Sequence, residues 1–166
     1  MKKILIATAV ALAATAASAL EVGITQTRDY STTAEVSCGF IIGPSTCPKQ
    51  DRNGTGITVG EKFGKVGLTA GFERFTAGGN DQDRLSLVAG YDVAKVGPFT
   101  VTPKVGVAHL NNQRGADGYA MTAGVGATFP VTKKLNLGLD VARQYGQDRV
   151  AAFDGDRVTV GLRYKF

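Results

Sequence analysis

An all-β chain, folded as an eight-stranded antiparallel up-and-down transmembrane β-barrel behind a cleavable signal peptide, is predicted by three features of the sequence. Eight segments alternate apolar with polar or glycine residues, the connections between them alternate short with long, and the aromatic residues cluster near the two ends of the segments. Alternation with a period of two places one row on each face of a strand. In a barrel that spans a membrane the apolar row faces lipid and the polar row faces a narrow interior.

The first nineteen residues carry the leader. Lys2 and Lys3 form a basic start, Ile4 to Ala14 is apolar, and Ala17-Ser18-Ala19 is a small-residue cleavage site, so residues 1–19 are expected to be removed. The remaining barrel domain is 20–166. Losing Lys2 and Lys3 lowers the basic-to-acidic balance from 19 against 14 to 17 against 14, and so modest an excess gives no reason to expect nucleic acid as a partner. No apolar run beyond the leader approaches the roughly 20 residues of a spanning helix.

The expected strands are Leu20 to Tyr30, Thr55 to Phe63, Val66 to Phe75, Arg84 to Ala94, Phe99 to Asn111, Gly118 to Pro130, Leu135 to Tyr145 and Asp156 to Phe166. Ser31 to Gly54, Thr76 to Asp83 and Gly146 to Gly155 read as long loops. Gly64-Lys65, Lys95 to Pro98 and Val131 to Lys134 read as short turns. Phe63, Phe99, Phe129, Tyr164 and Phe166 then fall at the turn end, with Tyr30, Phe75, Tyr119 and Tyr145 at the loop end, as two girdles at the membrane boundaries. A soluble barrel or sandwich with the same rows inverted satisfies the periodicity equally well, and would bind lipid inside; the twin girdles and the aromatic last residue argue against it.

With these strands and girdles in place, the chain resembles the small eight-stranded outer-membrane barrels, the OmpA-like and OmpX-like group. The resemblance spans Leu20 to Phe166 and rests on the architecture, on GITVGEKFGKVGLTAGFERF at Gly56 to Phe75, and on the terminal GLRYKF. It implies location in a bacterial outer membrane. It also implies that Val160, Leu162, Tyr164 and Phe166 form the signal read by the barrel-assembly machinery. The peptidoglycan-binding domain of full-length OmpA-like proteins is not expected here, nor is cell-wall anchoring.

Four constellations are candidates for function. Glu21, Lys62, Glu73, Asp92, Lys104, Asp140, Arg163 and Lys165 have inward parity, and charges in a narrow lumen must be paired or hydrated. They form either a packed mixed-sign network or an ion path, the latter making the protein a small channel. Arg28, Arg74, His109 and Arg143 have outward parity near the loop ends, where cations can meet the phosphates of lipopolysaccharide or simply be solvated. Cys38 and Cys47, the two cysteines of an exported chain, read as a disulfide that staples the 31–54 loop, which is a surface for an extracellular partner or a loop protected from proteases.

The fourth candidate is His109. Lipid A deacylases are eight-stranded barrels with a His, a Ser two residues later and a downstream Glu, but this chain reads His109-Leu110-Asn111-Asn112 and has no Glu after Glu73. A lipid A-modifying enzyme therefore lacks its nucleophile and its orienting carboxylate. No catalytic residues, metal site or cofactor are expected. The expected protein is a monomeric outer-membrane barrel with a structural or surface-interaction role.

Overall fold

The computed structural model of the chain describes residues 20–31, 51–77, 80–112, 117–146 and 154–166. Its strands are β1 (Glu21–Ser31), β2 (Arg52–Phe63), β3 (Val66–Ala77), β4 (Asn80–Tyr91), β5 (Ala94–Val96), β6 (Phe99–Asn112), β7 (Asp117–Pro130), β8 (Leu135–Gly146) and β9 (Gly155–Lys165). Each pairs antiparallel with its neighbours. β1 pairs with β9, and β4 pairs with β6, so the sheet closes on itself as an eight-stranded barrel. Closure gives every strand but the short β5 two neighbours, the arrangement that lets a β-structure sit in hydrocarbon with its backbone groups satisfied.

The short β5 continues β4 past a break at Asp92 and Val93. It carries on the same pairing with β6, and the Val93 amide donates to Val101 O at 3.0 Å. The turns at this end are tight. Gly64 and Gly97 have φ of 64° and 60°, the left-handed region where glycine avoids the Cβ penalty of other residues.

The register fixes the barrel's dimensions. Stepping from Glu21 across each strand in turn, through Gly60, Thr69, Val88, Gly106, Thr122, Gln144 and Gly155, leads back to β1 at Ser31. The return is displaced by ten residues, from position 21 to position 31. With about 3.3 Å per residue and 4.8 Å between strands, that stagger gives a tilt of roughly 40° and a backbone radius of about 8 Å. One residue along a strand therefore climbs about 2.5 Å along the barrel axis.

The facing follows parity. Ile24, Ile57, Leu85, Leu87, Val105 and Met121 are all more than half exposed on the outside, whereas Thr27, Glu73, Arg84 and Arg157 are buried inside. Exterior apolar area and interior charge together invert a soluble core. On the outer face Tyr30, Tyr119 and Tyr145 share one level. Phe63, Phe99, Phe129, Tyr164 and Phe166 lie about 25 Å below them, as the stagger places them. The lower rings touch in pairs, Phe99 with Phe129 at 5.4 Å and Tyr164 with Phe166 at 5.0 Å between centroids.

Three expectations need correction. Phe75 is not part of the upper girdle: it shares the parity of Glu73, points into the lumen and is 1% exposed. The long loop expected over Thr76 to Asp83 is largely strand, because Thr76 pairs with Asp81 and Ala77 with Asn80, which leaves only 78–79 between β3 and β4. Cross-strand pairing there overrides the polar composition that suggested a loop. The first outer connection is likewise trimmed from 31–54 to 32–51, since Ser31 pairs with Gly155 and Arg52 with Asp29. Cys38 and Cys47 lie outside the described residues.

Candidate functional site

The lumen holds two charged clusters separated by a layer of small residues. In the outer half Glu73 is the hub. Its Oε2 accepts from Arg84 Nη1 at 3.4 Å and from Arg157 Nη2 at 3.2 Å, and its Oε1 accepts from Thr27 Oγ1 at 2.5 Å. Arg157 also donates to Gln144 Oε1 at 3.2 Å, and its Nε lies 3.0 Å from Asp29 Oδ1, an ion pair out of hydrogen-bond alignment. The guanidinium sits over the Phe75 ring, 5.4 Å from its centroid. Cation and ring are thus packed together, an arrangement that favours arginine over a point charge.

This cluster reaches across the barrel. Glu73 belongs to β3 and Arg157 to β9, with β2 and β1 between them in the sheet. Above it Arg52 Nη1 donates to Gln82 Oε1 at 2.8 Å, from β2 to β4. Leu110 and Ala120 form a small buried apolar patch at the same end.

The inner half has its own network. Asp140 pairs with Lys104 and with Arg163, the latter at 3.2 Å; Asp92 pairs with Lys62 and accepts from Thr102 Oγ1 at 2.8 Å. Room for the Lys104–Asp140 pair comes from Gly126, where a Cβ would collide with Asp140 Oδ1 and stand 2.8 Å from Lys104 Nζ. Similarly, a Cβ at Gly54 would come within 2.5 Å of the Phe75 ring. Glu21 and Lys165 face one another across the β1–β9 pair at the inner end of the lumen.

The four basic side chains of the rim share a pattern. Arg28 pairs with Asp51 at 3.2 Å, Arg74 with Asp83 through two bonds of 2.8 and 3.0 Å, His109 Nε2 with Asp117 at 2.6 Å, and Arg143 with Asp156 at 3.5 Å. Three of them rest against the upper tyrosines: Arg28 over Tyr30 at 5.2 Å, Arg143 over Tyr145 at 5.7 Å, and the His109 ring edge-on to Tyr119 at 4.9 Å. The stagger sets all four within about 4 Å of one level along the axis, just below those tyrosines. The rim is therefore a belt of basic side chains, each set against a carboxylate. Near His109 the neighbours are this carboxylate and this phenol.

The last strand holds Val160, Leu162 and Tyr164 outward and exposed, followed by Phe166 at 68%. Phe166 N donates to Leu20 O at 3.1 Å, so the terminal residue is tied to the start of β1.

No family model and no curated protein sequence matches the chain. Solved structures do. Neisserial surface protein A (NspA) superposes with a TM-score of 0.64 at 13% identity, covering 89% of this chain and 97% of that one. The N-terminal β-barrel domain of Pseudomonas aeruginosa OprF gives 0.63 at 15%, covering 90% and 98%. Ail, the attachment invasion locus protein of Yersinia pestis, gives 0.51 at 14%, covering 90% and 97%. The chain has the fold of the small eight-stranded outer-membrane barrels.

Within that barrel, parity alone could have found the residues that sequence reading left out of the lumen. Asp29 has the facing of Glu21, Arg84 that of Ser86, and Arg157 that of Arg163. Each lies near a strand end, where the polar side chain blends into the adjoining loop composition.

Proposed function

We propose that the protein is an integral outer-membrane barrel whose work is done at its outer surface, in adhesion or partner binding, with the barrel itself as a plugged scaffold. The observation that carries this reading is the Glu73 hub. Bonds from β1, β4 and β9 converge on one carboxylate of β3, and a lumen crossed this way is filled by side chains. What remains for interaction is the outer end: the rim belt, the β3–β4 hairpin rising past the tyrosine level, and the 32–51 connection carrying Cys38 and Cys47. The similarity to the attachment invasion locus protein supports the same reading.

The rim cations are our candidates for contact with lipopolysaccharide phosphate, and Val160 to Phe166 for recognition by the assembly machinery. The reading is non-enzymatic. The deciding experiment displays the full chain on cells and measures adherence to epithelial monolayers, alongside a variant whose 32–50 segment is replaced by Gly-Ser repeats. Adherence lost with the replacement and normal surface display supports the proposal; equal adherence refutes it.

A further inference from the structure

The two ends of the barrel treat their basic side chains differently. At the loop end each outward base is set against a carboxylate. At the turn end Lys65 follows Gly64, Lys95 lies in β5, and Lys133 and Lys134 precede β8; all four are exposed, and none forms an ion pair among the described residues. The carboxylates nearby are engaged elsewhere. Asp92 is bonded to Lys62 and Thr102 and feels Lys95 only at longer range, and Glu21 faces Lys165 across the β1–β9 pair. Glu61 is the one outward carboxylate side chain at this end of the described strands, so outside the lumen four lysines stand against one acid. Lys134 shows at what depth these ammonium groups lie. Its Nζ is 5.7 Å from the centroid of Tyr164 on the outer wall, and its backbone O accepts from Lys165 N at 2.7 Å, which sets it beside the Tyr164–Phe166 ring pair. The register places Lys65, Lys95 and Lys134 within about 4 Å of the level of the lower aromatic band. Such bands mark the headgroup boundary, where a lysine stem can lie on apolar surface with its charge among lipid phosphates.

We propose that the turn end of the barrel binds anionic phospholipid, its phosphodiester headgroups held by Lys65, Lys95, Lys133 and Lys134. The short turns of such barrels face the periplasm, so this end meets the phospholipid leaflet of the membrane. Attraction between clustered lysines and anionic headgroups adds over the cluster and is screened by salt. The strongest position is the β8–β9 wall. There Lys133 and Lys134 adjoin each other, Tyr164 backs the Lys134 ammonium, and the cross-strand pair Leu137 and Leu162, exposed just above, lies where the acyl chains of the same lipid would run. Depth favours a lipid over a soluble anionic polymer, because an ammonium packed on an outward tyrosine is open to a neighbour in the membrane plane. This site lies at the opposite end from the surface role above and goes beyond it.

The test uses the full chain in phosphatidylcholine bilayers carrying a trace of spin-labelled phosphatidylglycerol or spin-labelled phosphatidylcholine, with the motionally restricted share of each label read by electron paramagnetic resonance. Phosphatidylglycerol is expected to be enriched several-fold at the barrel. Lys65→Gln, Lys95→Gln, Lys133→Gln and Lys134→Gln combined are expected to bring it down to the level of phosphatidylcholine, whereas Arg74→Gln with Arg143→Gln keeps the enrichment. Free glycerol phosphate at constant ionic strength is expected to leave the enrichment in place, which separates a lipid headgroup from a soluble phosphate. Heat-modifiable gel migration checks that every variant is folded; exposed turn lysines should be dispensable for that. Equal association of the two lipids, enrichment that survives the fourfold substitution, enrichment lost with the rim pair, or full displacement by glycerol phosphate would each overturn the proposal. So would a wild type that shows no lipid preference but sediments with isolated peptidoglycan through the same lysines.

Discussion

Arg157 Nη2 reaches Glu73 Oε2 at 3.2 Å across the lumen, joining strands that two others separate in the sheet. Arg84 meets the same oxygen. Removing the carboxylate leaves two buried guanidinium groups without it, and breaking such a buried pair typically costs about 3–5 kcal/mol. Glu73→Ala is therefore expected to lower stability by roughly that amount in urea unfolding from lipid vesicles. Glu73→Ala with Arg157→Met should recover part of the loss, since one unpaired charge is removed. An unchanged midpoint in the single variant would show that water replaces the hub.

Conductance follows from the same bonds. The wild-type barrel is expected to show no steady current in planar bilayers, because the outer cluster and the Lys104–Asp140–Arg163 group both cross the interior. Single substitutions at Glu73 or Lys104 should open at most brief events, while both together should raise their frequency. Large steady openings in the wild type would favour the channel reading.

Gly126 and Gly54 are steric tests of the packed lumen. Gly126→Val places a side chain on the Lys104–Asp140 pair, and Gly54→Val places one on the Phe75 ring. Overpacking of this kind costs about 1–3 kcal/mol, read as a lower unfolding midpoint or poorer folding yield. The control is Gly64→Ala, which meets no atom within 4 Å and is strained only through its φ of 64°.

At the rim, Arg74→Gln with Arg143→Gln is expected to reduce lipopolysaccharide retained on purification while leaving the unfolding midpoint unchanged. Pairs this exposed contribute little to stability. Full retention of lipopolysaccharide would remove phosphate contact from the rim's functions.

Deleting Phe166 is expected to reduce assembly in cells more than folding in vitro. The side chain is largely exposed, and what the barrel loses is one terminal bond to Leu20 and the ring contact with Tyr164. Fractionation of cells against refolding in detergent separates the two; equal losses would make the residue structural.

The sequence by itself determined the number of barrel strands, the division of each strand into two rows and, Phe75 apart, the depth of the aromatic bands. All three follow from local rules: a period of two, turn residues and strand length. Glu73 and Arg163 were legible as lumen residues for that reason. The tertiary structure alone decided which charge meets which, because Glu73 and Arg157 are brought together by a ten-residue stagger around the closed sheet. It also decided that Phe75 belongs inside and that Thr76 to Asp83 is mostly paired strand, since strand ends are set by the neighbouring chain and not by their own composition.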